Sequence, residues 1–172
     1  MARVLTVRWI AGWAAALLAW ALVLPAAAQT GKPVYKNADD IAILGYDTVA
    51  YFTEDRAVRG KPEFEHVWNG ARWLFAKAEH RDRFSRDPEA YAPRFGGFCT
   101  GGMSLGYIQE ANPENWRIIK GRLYLGNSKV TLEMLQTDAV GVVGAADANW
   151  PVVSQQAPVV PRPCTTCAKP TD

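Results

Sequence analysis

Histidine is nearly absent. His66 and His80 are the only two in 172 residues, and both precede Cys99. Gly97-Phe98-Cys99-Thr100-Gly101 has the spacing of a nucleophile elbow. That type of hydrolase takes its histidine from downstream of the nucleophile, and none follows here. Cysteine is scarce too: Cys99, Cys164 and Cys167. An odd count leaves one thiol over, and pairing of Cys164 with Cys167 leaves Cys99 free. A surplus of one charge is also missing. Of 19 basic residues, Arg3 and Arg8 lie in an N-terminal leader, which leaves 17 against 17 acidic ones. No basic stripe for nucleic acid remains, and no lysine cluster for lipid. The adjacent Asp39-Asp40 and the alternating Glu63 and Glu65 have no partner that would split their protonation, so they read as solvated. No internal repeat is legible.

What is present starts with an export signal. Arg3 and Arg8 form a basic start, Trp9 to Leu24 is apolar, and Pro25-Ala26-Ala27-Ala28 offers a cleavage site. Residues 1–28 are therefore expected to be removed, giving a periplasmic or secreted chain with no remaining membrane anchor. Residues 29–40 read as a lead-in and 41–149 as one domain. Residues 150–172 read as a proline-rich, flexible tail carrying Cys164-Thr165-Thr166-Cys167.

Within the domain, Asp47-Thr48 stands ahead of the apolar run Val49-Ala50-Tyr51-Phe52 as a candidate cap. Phe64 to Trp68 alternates, Asn69-Gly70 is a strong type I′ turn signal, and Ala71 to Phe75 returns. A helix is expected from Lys77 to Arg86, with Ala76, His80 and Phe84 along one face. Asp87-Pro88 opens a short helix through Tyr91. Phe95 to Met103 holds two glycine pairs around Cys99 and reads as a shaped loop. Leu105 to Ile108 is expected as a strand, and Glu110 to Asn115 as a turn. A second hairpin crosses Lys120-Gly121. Asn127 or Ser128 caps a helix to about Gln136, and one or two helical turns follow between Val140 and Ala148. The fold class is α+β: a small single domain with two β-hairpins packed on short helices.

The order of these motifs carries a resemblance. Gly45-Tyr46-Asp47-Thr48-Val49-Ala50-Tyr51-Phe52, Trp68-Asn69-Gly70, Asp87-Pro88-Glu89-Ala90-Tyr91-Ala92-Pro93, Gly96-Gly97-Phe98-Cys99 and Gly121-Arg122-Leu123-Tyr124-Leu125 resemble the exported branch of the YHS-domain proteins. The similarity runs from about Ile41 to Asn149. It implies a small α+β fold and, across the wider family, association with metal through paired cysteines near a helix start. Here Ala76 and His80 stand at those two cysteine positions, so the thiolate pair is missing.

Three readings follow for Cys99. With His66 and His80 it supplies three ligands for a transition metal of the Cu or Zn type, with Met103 as a soft fourth. Cys164 and Cys167 form a further candidate pair for metal in the tail. On this leading reading the chain is a non-enzymatic metal-binding or metal-sensing domain. Alternatively Cys99 is a redox thiol, its glycine loop aiming backbone N–H groups at the sulfur. Thirdly, the chain is a structural or interaction module and Cys99 a small buried hydrophobe. No protein partner is indicated.

Overall fold

A computed structural model describes residues 31–156. The leader and both tail cysteines lie outside the described residues. Two antiparallel hairpins organise the rest. The first joins β1 (Lys61–Trp68) to β2 (Ala71–Phe75), and the second joins β3 (Asn112–Ile119) to β4 (Arg122–Gly126). Both close through two residues of positive φ: Asn69 and Gly70 at 49° and 70°, Lys120 and Gly121 at 49° and 71°. A type I′ turn needs this backbone, and it matches the twist of the strands. Around the hairpins lie α1 (Ala50–Thr53), α2 (Ala78–Arg86), α3 (Pro88–Tyr91), α4 (Thr100–Ser104), α5 (Lys129–Thr137) and α6 (Ala139–Val153).

Contrary to the sequence expectation, the fold is a repeat. Lys61, Ala71, Ala78 and Pro88 open elements in the first half. Asn112, Arg122, Lys129 and Ala139 open the matching elements, each 51 residues later. Both first strands shift register at the same place, between Lys61 and Glu65 and between Asn112 and Trp116. Asp87 caps α3 by accepting from the Ala90 N–H, and Asp138 caps α6 by accepting from the Gly141 N–H. Before the hairpins the spacing is 52. Ile43, Leu44 and Gly45 have φ of 40°, 56° and 80°; Phe95, Gly96 and Gly97 have 54°, 62° and 86°. Few side chains are shared: Gly45 with Gly97, Thr48 with Thr100, Pro62 with Pro113, Glu63 with Glu114, Gly70 with Gly121, Leu74 with Leu125, Asp87 with Asp138. The halves share turns and caps and differ in most core side chains.

The halves differ in what covers the short helix. Over α1 lies the second hairpin: Tyr51 packs at a tilt against Trp116, 5.1 Å between ring centroids, and its hydroxyl donates to the Pro113 carbonyl at 2.9 Å. Over α4 lies α6, whose Asn149 Nδ2 donates to the carbonyls of Met103 and Ser104 at 3.0 and 3.1 Å. That cover requires a long α6, where the sequence suggested only a turn or two. The expected tail boundary at residue 150 is also corrected. Trp150 packs edge-on against Phe95 at 5.9 Å and Val153 is buried, so the helix runs through Pro151. Two further expectations fail. Leu105 to Ile108 forms no strand, since Leu105 is exposed and Gly106 turns the chain at φ 85°. Residues 112–115 belong to β3 and not to a turn.

Burial raises the proton affinity of several tyrosines. Tyr35 and Tyr51 are pushed far above their ordinary value of 10.0, chiefly by burial, and Tyr46 and Tyr124 move the same way. The unfolded chain therefore loses these protons first. Their contribution to stability is complete below about pH 10 and falls as pH rises beyond it. In an alkaline titration, tyrosinate absorbance from these groups is expected to rise together with loss of the far-ultraviolet circular dichroism signal. A rise in an intact fold would contradict the assignment.

Candidate functional site

Each half builds one polar seat under its short helix. In the first half the occupant is Asp47, fully buried. Its N–H donates to the Val58 carbonyl at 2.8 Å. Its carboxylate accepts four hydrogen bonds. Oδ1 takes the N–H groups of Val49 and Ala50 at 2.9 and 3.2 Å. Oδ2 takes the Ala76 N–H at 2.8 Å and His80 Nδ1 at 2.7 Å. Three of these donors are backbone amides, so Asp47 is the acceptor throughout and His80 Nδ1 carries the hydrogen. The far nitrogen, Nε2, lies 3.1 Å from Thr53 Oγ1 and 3.8 Å from Glu54 Oε1. Asp47 thus does more than the capping read from sequence. It ties the start of α1 to the start of α2, through a histidine 33 positions away.

In the second half the occupant is Cys99, also fully buried. Its N–H donates to the Gln109 carbonyl at 2.8 Å, as Asp47 does to Val58. Its sulfur accepts the Asn127 N–H at 3.3 Å, and Asn127 is the counterpart of Ala76. The sulfur also lies 3.6 Å from Thr131 Oγ1, and Thr131 is the counterpart of His80. The next residue matches too: Thr48 and Thr100 are both fully buried, and neither hydroxyl has a hydrogen-bond partner among the described residues. The two seats share a frame and hold different chemistry.

The glycines around Cys99 serve close packing. A Cβ on Gly97 would stand 2.6 Å from Ile43 Cγ2, at φ 86°. One on Gly96 would stand 2.0 Å from the Pro33 carbonyl oxygen. Cys99 itself precedes a five-residue helix, so the stretch is not wholly the loop expected from its composition. Burial pushes the Glu110 carboxyl up, and the Tyr35 hydroxyl partly offsets the rise. A shallow, open concavity lies elsewhere, between α2 and α3, lined by Glu79, Arg83, Arg86, Asp87 and Tyr91 among others. Neither seat contributes to its wall.

Among the described residues, His66, His80 and Cys99 do not form a group that could hold a metal ion. His80 has committed both ring nitrogens, to Asp47 and to Thr53. His66 sits on β1, half-buried, with its ring against Phe84 at 6.0 Å. Cys99 shares no bonded partner with either histidine. Met103 is close to Cys99 along the chain, its N–H donating to the Cys99 carbonyl at 3.0 Å, and is itself buried. Among the described residues no three His, Cys, Asp or Glu side chains converge where an ion would sit. Cys164 and Cys167 lie outside the described residues. No family model, curated protein or solved structure matches this chain.

Proposed function

We propose that the chain is an exported, YHS-like domain whose function is thiol chemistry at Cys99. One observation carries this reading. The sulfur occupies a seat that, in the other half of the molecule, holds a buried carboxylate fed by hydrogen-bond donors. Here an N–H from Asn127 and a hydroxyl from Thr131 meet the sulfur.

The step that suits this arrangement is exchange with an external disulfide. The Cys99 sulfur bonds to one sulfur of the partner, the partner's S–S bond breaks, and the departing thiol carries away the proton. Access requires movement of the turn at Asn127 and Ser128, a short and half-buried segment between β4 and α5. The leader and the resemblance support export into a compartment where disulfides persist.

The test uses the reduced full chain with Cys164→Ser and Cys167→Ser, so that Cys99 is the sole thiol. It is incubated with an aromatic disulfide under native conditions and mapped by peptide mass spectrometry. A mixed disulfide on Cys99, formed while the protein stays folded, is the expected result. No adduct before unfolding would overturn the reading. Element analysis of the same protein after reduction and metal loading addresses the competing metal reading: stoichiometric Cu or Zn lost in Cys99→Ser would favour it instead.

A further inference from the structure

We propose that Thr53 is an acyl-accepting nucleophile, with His80 as its general base and small carboxylic esters as the substrate class. The inference goes beyond the reading of Cys99 and does not depend on it. It starts from the two nitrogens of one ring. The tie to Asp47 uses Nδ1 alone, which carries the hydrogen and lies 2.7 Å from Asp47 Oδ2. On a neutral ring Nε2 is then an unprotonated base that needs a donor. It faces Glu54 Oε1 at 3.8 Å and Thr53 Oγ1 at 3.1 Å. A carboxylate cannot donate, so the Thr53 hydroxyl does. Asp47, His80 and Thr53 therefore form a relay of carboxylate, imidazole and hydroxyl, with the polarity and reach that activate a nucleophile. Burial is graded along it. Asp47 and His80 are 0% and 1% exposed, whereas Thr53, at the end of α1, is an exposed residue. The base is shielded from water and the hydroxyl it serves is open to solvent.

The surroundings suit the charge that develops. Attack joins Thr53 Oγ1 to the carbonyl carbon of the ester while the hydroxyl proton passes to Nε2. The imidazolium so formed lies between two carboxylates, Asp47 on one side and Glu54 on the other. The tetrahedral adduct then collapses. The bond to the leaving oxygen breaks, that oxygen takes the proton from Nε2, and an alcohol departs. Thr53 is left as an ester, which water cleaves by the same steps. The Val49 carbonyl, 3.1 Å from Oγ1, holds the oxygen in place and competes for its hydrogen, but a carbonyl is too weak a base to keep the proton. Lys77 Nζ stands 3.2 Å from Glu54 Oε1, the oxygen that faces His80, on a half-exposed side chain. It is placed to offer positive charge to the carbonyl oxygen as that oxygen becomes negative. The rim formed by Glu54, Arg56 and Lys77 is polar, which fits an ester with no large apolar group to bury. In the second half Thr131 stands where His80 does, so no imidazole serves the matching place.

The test is acetylation of the folded full chain by 4-nitrophenyl acetate, mapped over time by peptide mass spectrometry. Ser85 is the internal reference: an exposed residue on α2 whose hydroxyl donates to the Asp82 carbonyl and has no imidazole beside it. Thr53 is expected to acquire the acetyl group about 100-fold faster than Ser85, the worth of a positioned general base. The advantage should grow with pH as the ring becomes neutral, and should vanish in the urea-unfolded chain. His80→Asn keeps an N–H for Asp47 and removes the base, so it should bring Thr53 down to the rate of Ser85. Thr53→Ser should keep fast labelling at position 53, and Thr53→Val should lose it. Circular dichroism establishes that each variant is folded. Equal rates at Thr53 and Ser85 in the folded parent would overturn the proposal. So would a folded His80→Asn protein that labels Thr53 as fast as the parent does. Should His80→Asn not fold, the parent decides alone, with its own unfolded chain as the control that lacks the relay.

Discussion

Asp47→Ala is expected to cost about 4 kcal/mol of stability, enough to leave much of the chain unfolded at 37 °C. Every acceptor lone pair of this buried carboxylate is in use. Its loss strands the N–H groups of Val49, Ala50 and Ala76 and leaves His80 Nδ1 without a partner. Each buried donor left unsatisfied costs about 1–3 kcal/mol, although relaxation and water entry will recover part of the sum. Asp47→Asn should cost less, about 2 kcal/mol, because the remaining amide oxygen can still accept. Urea denaturation of the two variants beside wild type checks both the size and the order. An Asp47→Ala protein within about 1 kcal/mol of wild type would show that the seat is not structurally coupled, against the expected cost of stranding several buried donors.

Phe84→Ala is expected to cost a similar amount, about 4 kcal/mol. Phe84 is fully buried at the centre of an aromatic cluster. Trp73 and Phe75 lie 5.1 Å from its ring centroid, Trp68 5.8 Å, and His66 6.0 Å. Removing the ring deletes four aromatic contacts and leaves a void walled by rigid side chains that cannot collapse into it. Its counterpart Leu135 is buried as well, but it is smaller. Leu135→Ala should therefore destabilise less. Thermal unfolding of the two variants measures the difference, and equal losses would argue against Phe84 as the organising residue of the first half.

Local signals in the sequence were read well where their chemistry is local. Asn69-Gly70 and Lys120-Gly121 foretold both hairpins, because a two-residue turn must supply positive φ. Asp87 foretold a helix start, and the spacing of His80 and Phe84 foretold the buried face of α2. What escaped was set by partners distant in the chain. Asp47 looked like a cap because the Val49 and Ala50 amides are its neighbours; His80, Ala76 and their bonds belong to another element. The long α6 was hidden by Gly141, Gly144 and Pro151, poor helix formers that are held by packing of Ala146, Trp150 and Val153. The repeat was hidden for a related reason. Its shared residues are turns, caps and bends, while the seats themselves differ: Asp47 against Cys99, and His80 against Thr131. A signal existed nonetheless, since Thr48 and Thr100 each follow the occupant by one residue and Gly45 and Gly97 each precede it by two.

On the proposed reading, the divergence of the two seats separates stability from thiol chemistry. The first seat joins a carboxylate to an imidazole and ties the start of α1 to the start of α2. The second keeps one of the three backbone donors, the Asn127 N–H that matches that of Ala76, and holds a thiol where the first holds a carboxylate. The frame could accept a thiol without rebuilding because its main contacts, the N–H donors at Ala76 and Asn127, come from the backbone and do not depend on side-chain identity.

The most direct test of Cys99 as a reacting thiol is the denaturant dependence of its exchange rate. The Cys164→Ser/Cys167→Ser chain is mixed with an aromatic disulfide at a series of urea concentrations below the unfolding midpoint, and release of the aromatic thiol is followed. Reaction through local movement of the Asn127–Ser128 turn exposes little surface, so the rate should be nearly independent of urea until close to the midpoint. A rate that rises with the slope of global unfolding from the lowest urea upward would mean that Cys99 reacts only in the unfolded chain, and would contradict the account.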